Sequence, residues 1–338
     1  MGRPIAPMPT RTRPRRRHRT DAHMGSFVVS LDFELWWGIR DAIPLSEYRE
    51  NLLGERVAVE ALLACFTQRG IRATWATVGA LFCASRNELL DVMPKRTPRY
   101  ADPRLSPYEA LGEIGDDEAS DPIRFAPSLV RKIAAASGQE LATHTFSHFY
   151  CDEPGQTADD FDADLEVAQR LAEPFGGVRS LVFPRNQYND AYRSVMTHRG
   201  IRAFRSNGQH WAYAAGRSRD PLGRRIVRVI DAYLPVTGSR SATVYLGSDG
   251  LTDIPASAFL RPYSPKLRHL DRIRIARLRR AMTHAARTDQ CFHLWWHPHN
   301  FGVHLRENMA VLEALLDEFD SLRRRHRFES TSMGDLAA

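Results

Sequence analysis

The stretch Leu-Ala-Thr-His-Thr-Phe-Ser-His-Phe-Tyr occupies residues 141–150, directly after what reads as a short buried strand. If a helix begins at Thr143, His144 and His148 lie one turn apart on the same face, where two imidazole nitrogens can bind one metal ion. Such a pair also arises by chance, as a solvated or capped helix start. The metal prediction therefore depends on further ligands elsewhere in the chain.

Polar side chains follow three other apolar runs of the sequence. They are Asp32 and Glu34 after residues 27–31, Arg185 and Asn186 after residues 179–184, and His297 and His299 after residues 291–296. In an α/β barrel the carboxyl ends of the strands meet at one rim, so we expect these sets to lie beside the two histidines. Two imidazoles and one carboxylate suit a catalytic divalent ion, a second carboxylate can act as a base, and an opposite histidine can protonate a leaving group.

Helices and strands alternate along most of the chain, which favours a parallel sheet or a barrel. Strands are predicted at 27–31, 72–78, 140–143, 179–184, 201–204, 291–296 and 327–331, and helices at 55–68, 129–136, 157–171, 191–198, 266–286 and 309–322. Residues 85–126 interrupt this rhythm with several prolines, so we expect an insertion that contains short helices. Periodicity is weak between residues 206 and 261.

The composition is typical of a soluble globular protein. The chain has 338 residues, of which 43% are hydrophobic and 26% charged. It contains no run of 18 apolar residues and no apolar core of a signal peptide, so we expect a cytoplasmic protein without a membrane span. One barrel domain over residues 24–338 fits this length. The oligomeric state is left open.

The net charge of +7 is concentrated at the N-terminus. Residues 1–23 hold seven arginines and one acid, Asp21, so the rest of the chain is nearly neutral. We expect this tail to be disordered, with Met24 as the natural start, and we expect no nucleic-acid partner. The arginines of the predicted helix 266–286 form either a solvated face or a contact with a diphosphate or an anionic lipid, which leaves peripheral membrane contact open.

Cys151 offers an alternative use of the histidine pair. It lies seven residues after His144, where a continuous helix would bring it to the same face. A structural zinc site of two histidines and one cysteine is therefore a second interpretation of this stretch.

Four motifs together resemble the polysaccharide deacetylase (NodB-like) family. They are Ser30-Leu-Asp32-Phe-Glu34, Thr143-His144-Thr-Phe-Ser-His148, Phe183-Pro-Arg185-Asn186 and Leu294-Trp-Trp-His297. The resemblance covers roughly residues 26 to 300 and implies a distorted (β/α)7 barrel, here with a helical insertion at about 85–126. It also implies a divalent metal, commonly zinc, and the removal of N- or O-acetyl groups from sugars.

The resemblance implies that His144 and His148 bind the metal. In the usual first motif of the family, Thr-Phe-Asp-Asp-Gly, the first Asp is the general base and the second is a ligand. This chain has Phe33 in the place of the second Asp, so the resemblance assigns the base to Asp32 and the third ligand to Glu34.

The remaining roles also follow from the resemblance. Arg185 is similar to the arginine that holds the catalytic Asp, although here it follows the proline instead of preceding it. His297 is similar to the late-strand histidine that acts as a general acid, and His299 is the alternative. His293 faces the other way from the end of its strand, so we expect it to pack in the interior.

We therefore expect a metal-dependent hydrolase that deacetylates a carbohydrate. One alternative is an amidohydrolase with the same fold that hydrolyses a C–N bond of a cyclic ureide or imide instead of an acetyl group. Another alternative is a non-catalytic protein whose Arg-rich tail and basic helix bind nucleic acid or a membrane surface.

Overall fold

The computed structural model describes residues 25–208, 211–213, 222–234 and 236–338. The Arg-rich tail, residues 1–23, and the proposed start at Met24 lie outside the described residues. Among the described helices, none combines the length and apolar character that a membrane crossing requires. The division into a tail and a single barrel domain stays a prediction.

The described strands form one sheet that is almost entirely parallel. They are β1 (Gly25–Phe33), β2 (Ala73–Thr77), β3 (Gln139–Thr143), β4 (Ser180–Val182), β5 (Ala203–Arg205), β6 (Tyr245–Leu246), β7 (Thr252–Asp253), β8 (Ala258–Phe259), β9 (Cys291–Trp296) and β10 (Phe328–Thr331). Their spatial order is β6-β7-β5-β4-β3-β2-β1-β9-β8, with β10 paired to the start of β1. Among the strands that the structure describes, β6 and β7 form the one antiparallel pair.

The segment that contains β7 and β8 closes this sheet into a barrel. β7 pairs with β5, whereas β8 pairs with β9 on the other side. Between the two pairings, Ala256 N donates to Ser206 O and Ser257 N donates to His293 O. Counted as one interrupted strand, this segment joins β1–β5 and β9 in the distorted (β/α)7 barrel that the sequence resemblance implies.

Helices cover the outside of the barrel. They are α1 (Trp36–Ile39), α2 (Leu45–Arg69), α3 (Arg86–Asp91), α4 (Pro127–Ala135), α5 (Ala158–Ala172), α6 (Arg193–His198), α7 (Leu222–Asp231), α8 (Asp271–Arg287), α9 (Leu305–Arg325) and α10 (Met333–Ala337). α2 begins ten residues before the predicted helix 55–68. The prediction missed these residues because the first turns of α2 are exposed or half-buried and carry no apolar periodicity. It ends at Gly70, whose φ of 62° is a conformation that glycine adopts readily.

Residues 85–126 contain α3 and short 3₁₀ turns, and they pack against the loops that follow β1 and β3. The backbone N–H of Tyr150 donates to the Tyr100 hydroxyl at 2.9 Å. The backbone N–H of Trp36 donates to Ile123 O at 3.1 Å, and Trp37 Nε1 donates to Arg124 O at 3.0 Å. This segment therefore supports two loops of the barrel rim.

Two glycines allow α2 to approach the loop after β9 at backbone contact distance. A Cβ on Gly54 would lie 2.0 Å from Gly302 O, and a Cβ on Gly302 would lie 1.9 Å from Asn51 O. Because both clashes involve backbone atoms, no side-chain rotation can relieve them. The position of the β9 loop against α2 therefore requires glycine at both places.

We predict that Gly54→Ala destabilises the protein by about 1–3 kcal/mol, since the new methyl group overpacks a backbone contact. In an unconstrained helix the same change is stabilising, by roughly 0.5–1 kcal/mol. Gly223→Ala in α7 is the matched control, because a Cβ there meets nothing within 4 Å. Denaturant unfolding of both variants measures the difference, and a stabilised Gly54→Ala protein would contradict the predicted contact.

Candidate active site

The structure brings the predicted polar residues together at the carboxyl ends of the barrel strands. Asp32 and Glu34 lie at the end of β1, the two histidines of the 141–150 stretch follow β3, and His297 and His299 follow β9. The four imidazoles converge on the carboxylate of Glu34.

Glu34 is surrounded by four imidazoles. Its Oε2 lies 3.3 Å from His144 Nε2 and 3.1 Å from His148 Nε2. Its Oε1 lies 3.2 Å from His299 Nε2 and 3.7 Å from His297 Nε2. Each carboxylate oxygen therefore faces one histidine pair, and each of the two resulting triads has ligand atoms within 4.8 Å of one another.

The protonation states of this cluster suit a metal site. Burial acts to raise the pKa of Glu34, but the surrounding histidines, His297 first among them, outweigh burial and hold this pKa well below its usual range. Burial lowers the pKa of His148 to about 4 and also lowers the pKa of His299. At neutral pH the cluster thus contains an anionic carboxylate and at least two neutral imidazoles, which is the form that binds metal ions.

The histidine stretch after β3 is a loop, so the helix considered for it does not form. Thr145 and His148 have φ values of 65° and 60°, in the left-handed region. The Asp164 carboxylate, on α5, accepts hydrogen bonds from the N–H groups of Phe146 at 2.6 Å and Ser147 at 3.2 Å. These donors are therefore satisfied by a side chain instead of by helical carbonyls, and the two histidines meet without a helix.

Neighbouring groups orient the imidazoles. His144 Nδ1 lies 2.8 Å from Val182 O, so it carries the proton and leaves Nε2 free to face Glu34. His299 Nδ1 lies 2.8 Å from the Tyr48 hydroxyl. His148 Nδ1 is buried without a hydrogen-bond partner among the described residues.

Cys151 belongs to neither triad among the described residues. Its thiol is buried, and burial raises its pKa well above the usual range. Since the loop is not helical, Cys151 does not return to the face of His144. The interpretation as a structural histidine-cysteine zinc site loses its geometric basis.

Asp32 is held by Arg205, a residue that the sequence analysis did not select. Both guanidinium nitrogens, Nη1 and Nη2, lie 2.7 Å from the two carboxylate oxygens of Asp32. Burial opposes ionisation of Asp32, but Arg205 outweighs it and lowers the pKa of this carboxyl. Arg205 also donates to Ser30 Oγ at 3.0 Å and to Asn186 Oδ1 at 2.9 Å. A sequence signal existed, since Arg205 directly follows the predicted strand 201–204.

The predicted contact of Arg185 with Asp32 is wrong. Arg185 forms an ion pair with Asp41, and its guanidinium lies 4.4 Å from the ring centre of Tyr150. Its backbone φ is 53°, in the short turn after Pro184, and this conformation directs the side chain away from Asp32. Asp32 is bound instead by Arg205, on the next strand, β5.

His297 is the most accessible member of the cluster. Its side chain is 24% exposed, whereas that of Glu34 is 5% exposed. The rings of Trp295 and Phe259 lie beside it, with centroids 5.7 and 5.9 Å from the imidazole. The cluster is therefore most accessible at His297, beside this aromatic wall of two rings.

His293 lies outside the cluster, in the barrel interior. Its Nε2 is 2.7 Å from Ser30 Oγ, and its backbone N–H donates to Ser257 Oγ at 3.0 Å. Burial, with the nearby charge of Arg205, lowers the pKa of His293 to about 3. This imidazole therefore stays neutral in the folded protein.

No family model matches the chain, and no curated protein matches its sequence significantly. Solved structures do match. One is a protein from Mycobacterium smegmatis with the provisional name polysaccharide deacetylase: TM-score 0.57, 13% identity, covering 96% of this chain and 93% of that one. Another is a PuuE allantoinase, with a TM-score of 0.53 and 12% identity over 96% of this chain and 93% of its own. A 4-alpha-glucanotransferase from Thermococcus litoralis matches with a TM-score of 0.50 and 13% identity, covering 92% of this chain but 39% of the transferase.

At these low identities the similarity concerns the fold. The chain has the distorted (β/α)7 barrel seen in proteins of the polysaccharide deacetylase type, as the four motifs implied. The same fold also serves the allantoinase, so the reaction has to be inferred from the site of this chain.

We predict that Arg205→Met destabilises the protein by about 3–5 kcal/mol at neutral pH, because it leaves the buried Asp32 charge unpaired. The deficit should shrink as the pH falls, because without Arg205 burial raises the pKa of Asp32 and the variant relieves the unpaired charge by taking up a proton. In the wild type the stabilisation by the ion pair is lost only as the pH falls from the ordinary Asp pKa of about 3.9 through the lowered pKa of Asp32. Unfolding measured across pH tests this. Arg185→Met is the control, with a smaller expected cost because Asp41 keeps its hydrogen bond from Tyr150. An Arg205→Met variant as stable as the wild type would contradict the importance of this ion pair.

A second prediction concerns acid sensitivity. The unfolded chain binds a proton at His293 near pH 6.5, whereas the folded chain binds it only near pH 3, so stability falls as the pH drops through this window. His293→Gln should remove one titrating group and reduce the slope of stability against pH by up to about 1.4 kcal/mol per unit between pH 6 and 4. An unchanged slope in urea unfolding would show that His293 titrates normally.

Proposed function

We propose that this protein is a metal-dependent hydrolase that removes an N- or O-acetyl group from a carbohydrate. The observation that carries the proposal is the pairing of Glu34 with His144 and His148 beside a separately held carboxylate, Asp32, at the rim of a deacetylase-type barrel. One part of this cluster suits a metal and the other suits a base.

The donor set fits a divalent ion, with zinc as the expected metal. Two imidazole nitrogens and one carboxylate oxygen face one another in a buried site, and His144 already has the tautomer that a ligand needs. When bound there, the ion would polarise the acetyl carbonyl and lower the pKa of a water molecule. Glu34, His144 and His148 would hold it.

Asp32 is the proposed general base. Its carboxylate is ionised at neutral pH, and the two bonds from Arg205 fix its orientation. It takes a proton from the attacking water at one carboxylate oxygen. Arg205 is a positioning residue here, since it acts through Asp32.

His297 is the proposed general acid. Its Nε2 lies 3.7 Å from both Asp32 Oδ2 and Glu34 Oε1, on the exposed side of the cluster. In that place Nε2 can hold a proton and pass it to the departing amine or alcohol. His299 is less suited to this role because it is buried and its Nδ1 is engaged by Tyr48.

The aromatic wall beside His297 supports a carbohydrate substrate. Aromatic rings provide flat apolar surfaces for sugar rings, and Trp295 is half-buried at the open side of the site. In contrast, Trp36, Trp37 and Trp296 are buried in the core. The cytoplasmic location and the oligomeric state stay predictions.

A second candidate keeps the site and changes the substrate. The fold similarity to the allantoinase favours hydrolysis of a cyclic ureide or imide, whose C–N bond needs the same base and acid. Parallel assays with acetylated amino sugars and with cyclic ureides distinguish the two candidates.

We predict that Asp32→Asn lowers the rate of acetyl release by about 100-fold or more while the metal content stays unchanged, since the base is lost and the ligands remain. His148→Ala should lose both activity and the catalytic metal. Acetate release and metal content, measured together, test both variants. His269→Ala is the control because this histidine is exposed and distant in sequence from the cluster.

Thermal unfolding of each variant verifies that it is folded before activity is compared. Acetyl release by wild-type protein stripped of metal, at the same rate as the loaded protein, would contradict the proposal. Activity only on cyclic ureides would favour the second candidate.

A further inference from the structure

We propose that this protein has a second divalent-cation site, formed by Glu34 Oε1, His297 and His299, which shares the Glu34 carboxylate with the first site. The two sites lie on opposite oxygens of one side chain. A cation in the second site takes the nitrogen that the proposed mechanism assigns to the general acid, so its binding inhibits the hydrolase.

The distances support a second ligand set. Glu34 Oε1 lies 3.2 Å from His299 Nε2 and 3.7 Å from His297 Nε2. Ligand atoms about 2.0–2.2 Å from one ion lie about 3.0–3.5 Å from one another at tetrahedral or octahedral angles. In the first triad both carboxylate–imidazole distances lie in this range. In the second triad the distance to His299 lies in it, and the distance to His297, the more exposed of the two imidazoles, reaches it after a small movement of His297.

The two imidazoles of the second triad are arranged in parallel. Their ring centroids are 4.9 Å apart and their planes differ by 22°. Both Nε2 atoms thus face the same carboxylate oxygen. In the first triad, the rings of His144 and His148 are 5.0 Å apart and inclined by 59°. The two pairs therefore have similar ring separations but different ring orientations.

A ligand of the second site is also held by hydrogen bonds with neighbouring groups, as ligands of metal sites usually are. The Tyr48 hydroxyl lies 2.8 Å from His299 Nδ1 and can accept its proton, which leaves Nε2 free for a cation. Asn51 Nδ2 donates to His299 O at 3.3 Å, and the glycine contact between α2 and the β9 loop fixes this backbone. His299 is therefore held in place by α2.

The charge balance makes the second site weaker than the first. Two divalent cations would share one carboxylate, and most of the Asp32 charge is offset by Arg205. Repulsion between cations a few ångströms apart is large in a buried site. We therefore expect the second cation to bind at least about tenfold more weakly than the first.

The inhibitory consequence rests on the proposed function. A cation on His297 Nε2 occupies the electron pair that would otherwise hold the proton for the leaving group. The first cation supports activity, and a higher concentration of the same metal suppresses it. The concentration at half inhibition should equal the dissociation constant of the second site.

Isothermal titration of metal-free protein with zinc, together with metal content after equilibrium dialysis, tests the proposal. We expect two zinc ions per chain at saturation in wild type. His299→Ala should bind one ion, and its remaining site should keep the higher affinity. His148→Ala should also bind one ion, with the lower affinity, whereas Glu34→Ala should lose both sites. His269→Ala is the matched control and should bind two ions.

Saturation of folded wild-type protein at one ion would overturn the inference, as would two ions in folded His299→Ala. Near-ultraviolet circular dichroism verifies the folding of each variant. If the protein binds one ion and releases acetate, the proposed function is supported and the second site is excluded. Two bound ions without acetyl release leave the second site standing without the proposed function. Activity that stays constant while the second ion binds would overturn the inhibitory role.

Discussion

A buried negative charge organises this site. Glu34 is 4% exposed, and an isolated carboxylate in such a place would be costly to ionise. Here the carboxylate is stabilised by imidazoles that approach from two directions, after β3 and after β9. The barrel brings these two strand ends to the same rim as β1, so the sheet order itself creates the cluster.

The supporting contacts extend outward from the imidazoles. Asp164 on α5 fixes the backbone of the histidine loop, and Tyr48 on α2 holds His299. Gly54 and Gly302 allow α2 to lie close enough for that contact. Elements far apart in the sequence are thus fixed around one side chain, and this is why a change outside the cluster can alter it.

Asp32 and Glu34 are two residues apart but have different partners. Glu34 meets imidazoles, which suits a metal, whereas Asp32 meets a guanidinium, which keeps it ionised and oriented. Two carboxylates in different surroundings can divide the tasks of ligand and base. Phe33 lies between them in the sequence and packs in the core, so it acts neither as a ligand nor as a base. This fits the division of tasks.

Much of the fold was predictable from periodicity. The strand 291–296 was predicted at the bounds that the structure gives, because all of its residues except His293 are apolar. The early turns of α2 were missed because they pack little apolar surface. At the site, residues at strand ends were predictable from topology, but the choice between Arg185 and Arg205 was not. That choice depends on a left-handed turn after Pro184, which no local pattern in the sequence reveals.

The loop conformation of the histidine stretch could not be predicted from the sequence for a related reason. Its N–H groups bond to Asp164, which lies on a different element, so only the tertiary structure defines the loop. X-ray absorption spectroscopy of protein loaded with one zinc ion would test the central claim most directly. We predict only nitrogen and oxygen neighbours, at about 2.0–2.2 Å, with the scattering signature of two imidazoles. A sulfur neighbour at about 2.3 Å, or fewer than two imidazoles, would contradict a site built on Glu34.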